Sequence, residues 1–271
     1  MKHLTKLLST LILLLAFTGV TVAQDETASA ANLYNDGLAK LKEKDYAAAL
    51  DMMAQALEAV DSTSETDMKV QALAKRNGAI AAYYSGSELR KAEDWDAAIE
   101  AYDMGIAMNP DFYANYVGRA QALDGKGDDL TAITAFVQAG EMAEKSPKNA
   151  SKAESFYSKA ENFAGVAYGN KEYDKAIELA QAFLELRESA DVYYYLAASQ
   201  LKNSQASDAL PNATKAAEMA AEMEENGKYY MLKGDIHQAL GQTADAIAAY
   251  KMITGGKYLE RAKYQIDQLN K

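Results

Sequence analysis

The chain contains no cysteine. That excludes disulfides, thiol nucleophiles, thiolate metal sites and a lipid-bearing cysteine, so packing alone must hold any exported domain it forms. Proline is almost as scarce, with 3 in 271 residues, and glycine reaches only 16. With few breakers and much Ala, Lys, Glu, Leu and Gln, the composition favours helix nearly everywhere. No run alternates apolar and polar residues for long enough to make a strand. Histidine is confined to His3 and His237. A lone His237 without an HxxxH or HExxH neighbour lacks the spacing of a metal site and reads as a structural helix residue. A phosphate-cradling loop is also missing: Gly125-Lys126-Gly127 is too short for one and reads as a turn. Basic residues are outnumbered 28 to 39, a net charge of −11 at pH 7. Binding phosphates requires clustered cations, so nucleic acid and anionic membranes are disfavoured as partners.

One hydrophobic run is present, at the N-terminus. Lys2 and Lys6 precede an apolar stretch from Leu7 to Val20, and Thr21-Val22-Ala23 supplies small residues before Gln24. This is the pattern of a cleavable signal peptide over residues 1–23, cut after Ala23; the stretch is short and interrupted for a membrane anchor. Residues 24–29 read as a polar tail. The mature chain is then expected to be exported, periplasmic or secreted, with no spanning segment and a charge more negative than −11. The hydrophobic fraction, 49 %, is ample for a core.

From Ala30 onward apolar residues recur at helical spacing, broken by polar or glycine-bearing turns. The pattern divides residues 30–271 into six helical hairpins, near 30–60, 68–110, 111–145, 150–188, 190–224 and 227–254, followed by a helix at 257–269. The segment Asp94-Trp95-Asp96-Ala97-Ala98-Ile99-Glu100-Ala101-Tyr102, ended at Asn109-Pro110, is the clearest unit, because Pro110 cannot continue a helix and restricts Asn109 as well. An alanine before a branched apolar residue recurs at Ala49, Ala98, Ala132, Ala176, Ala209 and Ala246, with spacings of 49, 34, 44, 33 and 37. A small residue at a repeated position lets two helices cross closely.

These residues resemble the tetratricopeptide repeat family, whose unit is 34 residues with a small residue in the first helix, an alanine in the second, an aromatic four residues later and a terminal proline. Gly37, Gly86, Ala120, Ala164, Ala197 and Gly234 match the first position. Tyr102, Phe136 and Tyr250 match the aromatic, which Met53, Ala180 and Ala213 replace in the other copies, and only Pro110 matches the proline. The resemblance implies an all-α fold, a right-handed α-solenoid of about six hairpins with a C-terminal capping helix, and a concave groove lined by first helices where a partner segment lies.

Tyrosine is in excess, 18 against 6 Phe and 1 Trp. Its flat apolar ring and polar tip suit a binding surface. By the family's register Tyr34, Tyr83, Tyr84, Tyr194 and Tyr195 fall at the groove, with Gln121, Asn162 and Asp235 beside them. They form the candidate partner-binding strip, whereas the six alanines are the repeat-packing set. Chaperone-binding members of the family use a clamp of Lys, Asn and Arg; the corresponding positions here are Tyr34, Leu38, Tyr84, Ala114 and Gly118, so that clamp is absent. Asp61-Ser62-Thr63 resembles the O-glycosylation acceptor of exported Bacteroidetes proteins, and Asn149-Ala150-Ser151 and Asn212-Ala213-Thr214 fit the N-linked pattern; each is read as ordinary loop or helix sequence. The source expected from these features is an exported, Bacteroidetes-like bacterial protein. Carboxylates such as Glu222, Glu224 and Glu225 lie on solvated helix faces and no pair stands out for acid–base work. No catalytic residue, cofactor or metal is expected. The expected function is a non-enzymatic protein- or peptide-binding adaptor of the cell envelope, the alternative being a glycan- or small-molecule-binding module that uses the tyrosines.

Overall fold

A computed structural model describes residues 29–271; the expected signal peptide and most of the tail before Ala30 lie outside the described residues. Within them the chain is all helix and turn, with thirteen α-helices and no strand. The order is α1 (Ala30–Glu43), α2 (Tyr46–Glu58), α3 (Glu65–Lys91), α4 (Trp95–Met108), α5 (Tyr113–Lys126), α6 (Asp129–Glu144), α7 (Ala153–Gly169), α8 (Tyr173–Leu184), α9 (Ala190–Lys202), α10 (Ala206–Met219), α11 (Gly227–Ala239), α12 (Thr243–Lys251) and α13 (Leu259–Leu269). A 3₁₀ turn, Ala150–Lys152, leads into α7. Each helix packs on the one before and the one after. The fold is thus an α-solenoid of six hairpins closed by α13, as the tetratricopeptide resemblance implies.

The hairpins share a backbone device that their side chains conceal. Each turns through one residue in the left-handed region: Lys44, Glu93, Gly127, Lys171, Ser204 and Gly241, with φ between 60° and 80°. The next residue caps the second helix, and in every copy the repeated alanine follows five positions after the left-handed one, its N–H bonded to the carbonyl of that capping residue. In the first three hairpins Asp45, Asp94 and Asp128 also accept from a backbone N–H three residues on, which contributes about 1 kcal/mol each. Glu172, Gln205 and Gln242 make no such side-chain bond.

All six alanines are fully buried. The aromatic four residues later works as a wedge. Tyr102 is 0 % exposed and its ring lies against Gly86 of its own hairpin and Gly118 of the next. A Cβ added at Gly86 would stand 2.8 Å from Tyr102 Cε1, and one at Gly118 closer still. Tyr250 fills the same role over Gly234. In the fourth hairpin, where Ala180 stands at the aromatic position, Phe183 supplies the buried ring instead.

The helix bounds depart from the sequence reading in particular places. Ser64 caps α3, so the helix begins at Glu65, ahead of the second hairpin's expected start near 68. Residue Gly125 lies within α5, and the turn starts only at Gly127. The last helix begins at Leu259 rather than near Lys257. Pro211 sits inside α10, where Asn212 Nδ2 donates to Asp208 O at 3.2 Å and to Gln200 Oε1 at 2.9 Å.

First helices form one layer: α1 packs on α3, α3 on α5, α7 on α9 and α9 on α11. The series breaks between α5 and α7, which do not pack on one another as the other successive first helices do, although α7 rests on α6 like every first helix on the second helix before it. The largest core cluster bridges this step, built from Ile133, Phe136, Phe156, Tyr157, Leu179 and Phe183. Side chains on the first-helix layer therefore stand over two kinds of ground, closed contacts within each half and a cleft between them.

Candidate functional site

The eight candidate strip residues are distributed over six local settings on this layer. Tyr34 is half-buried, and its hydroxyl accepts from Asn77 Nδ2 at 2.9 Å, tying α1 to α3. Tyr84 is 43 % exposed and stacks on Tyr46 with ring centroids 4.8 Å apart. Its neighbour Tyr83 turns the other way. Together with Gln121, Ser87, Arg90 and Phe156 it lines a cavity of about 140 Å³ between α3, α5 and α7, floored by Tyr102. These two strip residues, apart in sequence, are brought to one site.

Asn162 belongs to the cleft at the α5–α7 break. That cavity, about 400 Å³, is walled by Phe136, Phe163, Val166 and Leu179, with Asp124, Lys159 and Lys175 among its polar residues. Val166 is 58 % exposed there. Burial pushes the Asp124 carboxyl above its usual range, Asp129 adds to this and Lys159 opposes it.

Tyr194 and Tyr195 sit in an aromatic cluster with Tyr168 and Tyr229, ring centroids 5.5 to 6.4 Å apart and mostly edge-on or tilted. Such offset arrangements add about 0.5–1.5 kcal/mol per pair beyond area burial. Asp191 accepts from Tyr229 Oη at 2.8 Å and pairs with Lys228. Beside them Glu161 is half-buried; burial raises its carboxyl above the ordinary range, against the pull of a hydrogen bond with Ser189. Burial also raises the Tyr194 and Tyr229 phenols well above the ordinary tyrosine value.

Asp235 is engaged elsewhere. Its Oδ1 accepts from Tyr250 Oη at 2.8 Å and its Oδ2 from Arg261 at 2.7 Å, so it fastens α13 to the sixth hairpin. His237 Nδ1 lies 2.7 Å from Gln242 Oε1 at the final turn. Among the described residues there is no group of three or more His, Asp or Glu placed to hold a metal ion. No described helix is long and apolar enough to cross a membrane. Asn212 of the second N-linked pattern lies inside α10 with its amide already bonded; Thr63 of the O-linked pattern donates its hydroxyl to Asp61 at 2.7 Å.

Residues outside the expected strip complete these settings. Arg90, Tyr113 and Phe156 line the smaller cavity, with Lys152 bonded to Tyr113, while Tyr168, Tyr229 and Asp191 complete the aromatic cluster. Tyr168 closes α7 just before a turn and could have been found from its register relative to Tyr194. Arg90 carries no sequence signal beyond being a basic residue in the last turn of a helix, a common placement that complements the helix dipole.

No curated protein matches the sequence. Several solved structures are similar to the chain. A TPR-repeat protein of Bacteroides fragilis shares 19 % identity at a TM-score of 0.41, over 90 % of this chain and 98 % of that one. The TPR2AB-domain:pHSP90 complex of yeast Sti1 shares 14 % at 0.36, over 89 % and 98 %. The P58(IPK) TPR domain shares 17 % at 0.37 over 89 % of this chain, which spans 64 % of that one. The tetratricopeptide repeat family model matches residues 83–150 and 194–257. Those stretches hold Tyr102 over Gly86 and Gly118, and Tyr250 over Gly234. The match and the glycine–aromatic packing within it together support the tetratricopeptide repeat family for this chain.

Proposed function

We propose that this protein is a non-enzymatic adaptor, exported to the cell envelope, which binds a segment of another protein along its first-helix layer. One observation carries the reading: that layer displays aromatic and amide side chains over cavities, with Tyr84 exposed, Tyr83 and Gln121 at one cavity and Asn162 at another. Aromatic residues of this kind anchor protein interfaces when they are covered. Export follows from the signal-like residues 1–23 and is tested by sequencing the N-terminus of the mature protein. The adaptor role is tested by crosslinking in native envelope and capture of the mature chain. A stoichiometric partner, lost on Tyr84→Ala together with Tyr194→Ala, is the expected result; no partner after crosslinking overturns the reading.

A second reading, a small-molecule or glycan site, draws on the 400 Å³ cleft, whose size falls in the range of ligand pockets. A thermal-shift screen separates the two, because a ligand at a hundred times its Kd stabilises by about 2.7 kcal/mol.

A further inference from the structure

In a chain with 39 acidic residues, the cavity between α3, α5 and α7 has walls that carry no aspartate or glutamate. Arg90 lines it. Among the described residues its guanidinium makes no ion pair, and its Nε is fully buried without an acceptor. A permanent cation with a buried, unpaired N–H is costly, and such a group calls for an explanation. Of the other four arginines, Arg119 pairs with Asp103, Arg261 with Asp235, Arg187 lies 3.5 Å over the Tyr157 ring, and Arg76 is exposed to water. A second cation is tied to the cavity wall: Lys152 Nζ donates to the Oη of Tyr113, a lining residue, at 2.9 Å and to Asn149 Oδ1 at 3.4 Å, and it makes no ion pair among the described residues. Tyr83 and Phe156 supply apolar walls, and Gln121 and Ser87 add neutral polar groups.

We infer that this cavity is a receptor for the carboxylate side chain of an aspartate or glutamate in the bound segment. The inference rests on the adaptor reading and names the chemistry of one anchor within it. A carboxylate is the group that satisfies a guanidinium N–H most strongly, and the local field favours it here although the protein as a whole is acidic. The volume of about 140 Å³ would hold about four or five waters, comparable to the heavy atoms of one acidic side chain and too small for a folded motif. The aromatic walls would pack the methylene groups and exclude water from the ion pair.

The test uses the mature protein and an N-acetylated, C-terminally amidated peptide, Ala-Phe-Glu-Ala, followed by ¹H–¹⁵N spectra of the arginine Nε–H groups. The expected result is a saturable shift of the Arg90 Nε–H signal, with affinity that falls as salt is raised. The Gln counterpart of the peptide should bind about tenfold more weakly or worse, as should the Glu peptide to Arg90→Gln, because either change deletes a charge-assisted bond. Arg76→Gln, the same charge change at an exposed position of α3, should leave binding unaltered. An Arg90 signal that does not move, or equal binding of the Glu and Gln peptides to the wild-type protein, overturns the inference without recourse to a variant. Binding of the Gln peptide only when its terminus is a free acid would reassign the site to a chain end and overturn the side-chain assignment. A crosslinked partner retained in full by Arg90→Gln defeats this inference and leaves the adaptor reading standing. Peptide binding with no envelope partner does the reverse.

Discussion

Gly118→Ala is the sharpest probe of the packing rule that builds this solenoid. The substitution should gain about 1 kcal/mol of helix propensity, because glycine in a helix interior costs that much relative to alanine. The new methyl, however, would overlap the ring of Tyr102, which is 0 % exposed, already faces Gly86, and has its hydroxyl 3.2 Å from Ser87 Oγ. To admit the methyl, the ring must either shift the α4–α5 contact or leave its place between Gly86 and Gly118 for the adjoining cavity, and overpacking of this kind costs about 1–3 kcal/mol. Since the overlap is with a buried ring, the upper part of that range applies, and the net expectation is a loss of about 1–2 kcal/mol. Urea unfolding followed by circular dichroism reads it as a lower midpoint. Gly169→Ala is the internal control: a Cβ there meets nothing within 4 Å, so this change should stabilise by about 0.4–1 kcal/mol. In a Tyr102→Leu background the ring is gone and Gly118→Ala should become neutral or stabilising, a coupling that a double-mutant cycle measures directly. If Gly118→Ala stabilises the wild-type chain as Gly169→Ala does, or costs as much without the ring as with it, the wedge argument is refuted.

Other expectations follow from the same structure. Pro211 is exposed at an interior position of α10, so Pro211→Ala should restore a backbone bond and stabilise by about 1–3 kcal/mol, read by the urea midpoint. Glu93 occupies the left-handed region at φ 60°; Glu93→Gly should remove a strain of about 1–2 kcal/mol and return about 0.5–1 kcal/mol as glycine entropy, a small net gain in melting temperature. Burial pushes the Tyr157 phenol up to about 12 and raises Tyr194, Tyr229 and Tyr250 further. The folded state therefore keeps these protons after the unfolded chain has lost them at about pH 10, so their contribution is complete below that pH and declines as pH rises through the folded values. The urea midpoint should fall between about pH 10 and about pH 12, less steeply in Tyr229→Phe; a flat profile would count against the burial of these hydroxyls.

The repeat was legible because its determinant is local and chemical. An alanine at a helix crossing can be recognised wherever it recurs, and the aromatic behind it confirms the spacing in the copies that keep one. Hairpin turns were harder, for a physical reason. Gly127 and Gly241 announce a left-handed residue, but Lys44, Glu93, Lys171 and Ser204 adopt the same conformation without the residue type that signals it. Gly125 misled in the opposite sense: it is helical, and its missing side chain makes room for the Trp95 ring rather than for a turn. The candidate strip was legible only in part. Register placed Tyr83 and Gln121 on one layer, but whether neighbouring first helices touch or part depends on how hairpins seat on one another; the long spacing of 44 between Ala132 and Ala176 marks extra chain there without saying that α5 and α7 separate. Asp235 illustrates the limit: its position faces the groove by register, yet Tyr250 and Arg261 claim both its oxygens. Arg90 was invisible because its importance comes from what does not reach it.

The length of α3 gives the two ends of the array different mechanical characters. At 27 residues it extends about 40 Å, and it touches α1, α2, α4 and α5. The first hairpin cannot peel away without stripping cover from Val70 and Ala74, which lie on the same continuous rod that carries Gly86. Fraying from that end must therefore release several units together. At the other end α13 packs on one helix, α12, with Ala262, Ile266 and Leu269 against a single core cluster and one ion pair to Asp235, so it can open without releasing other units. The solenoid has a stiff end and a soft one, and a load drawn along its axis would be taken up first at the C-terminal cap.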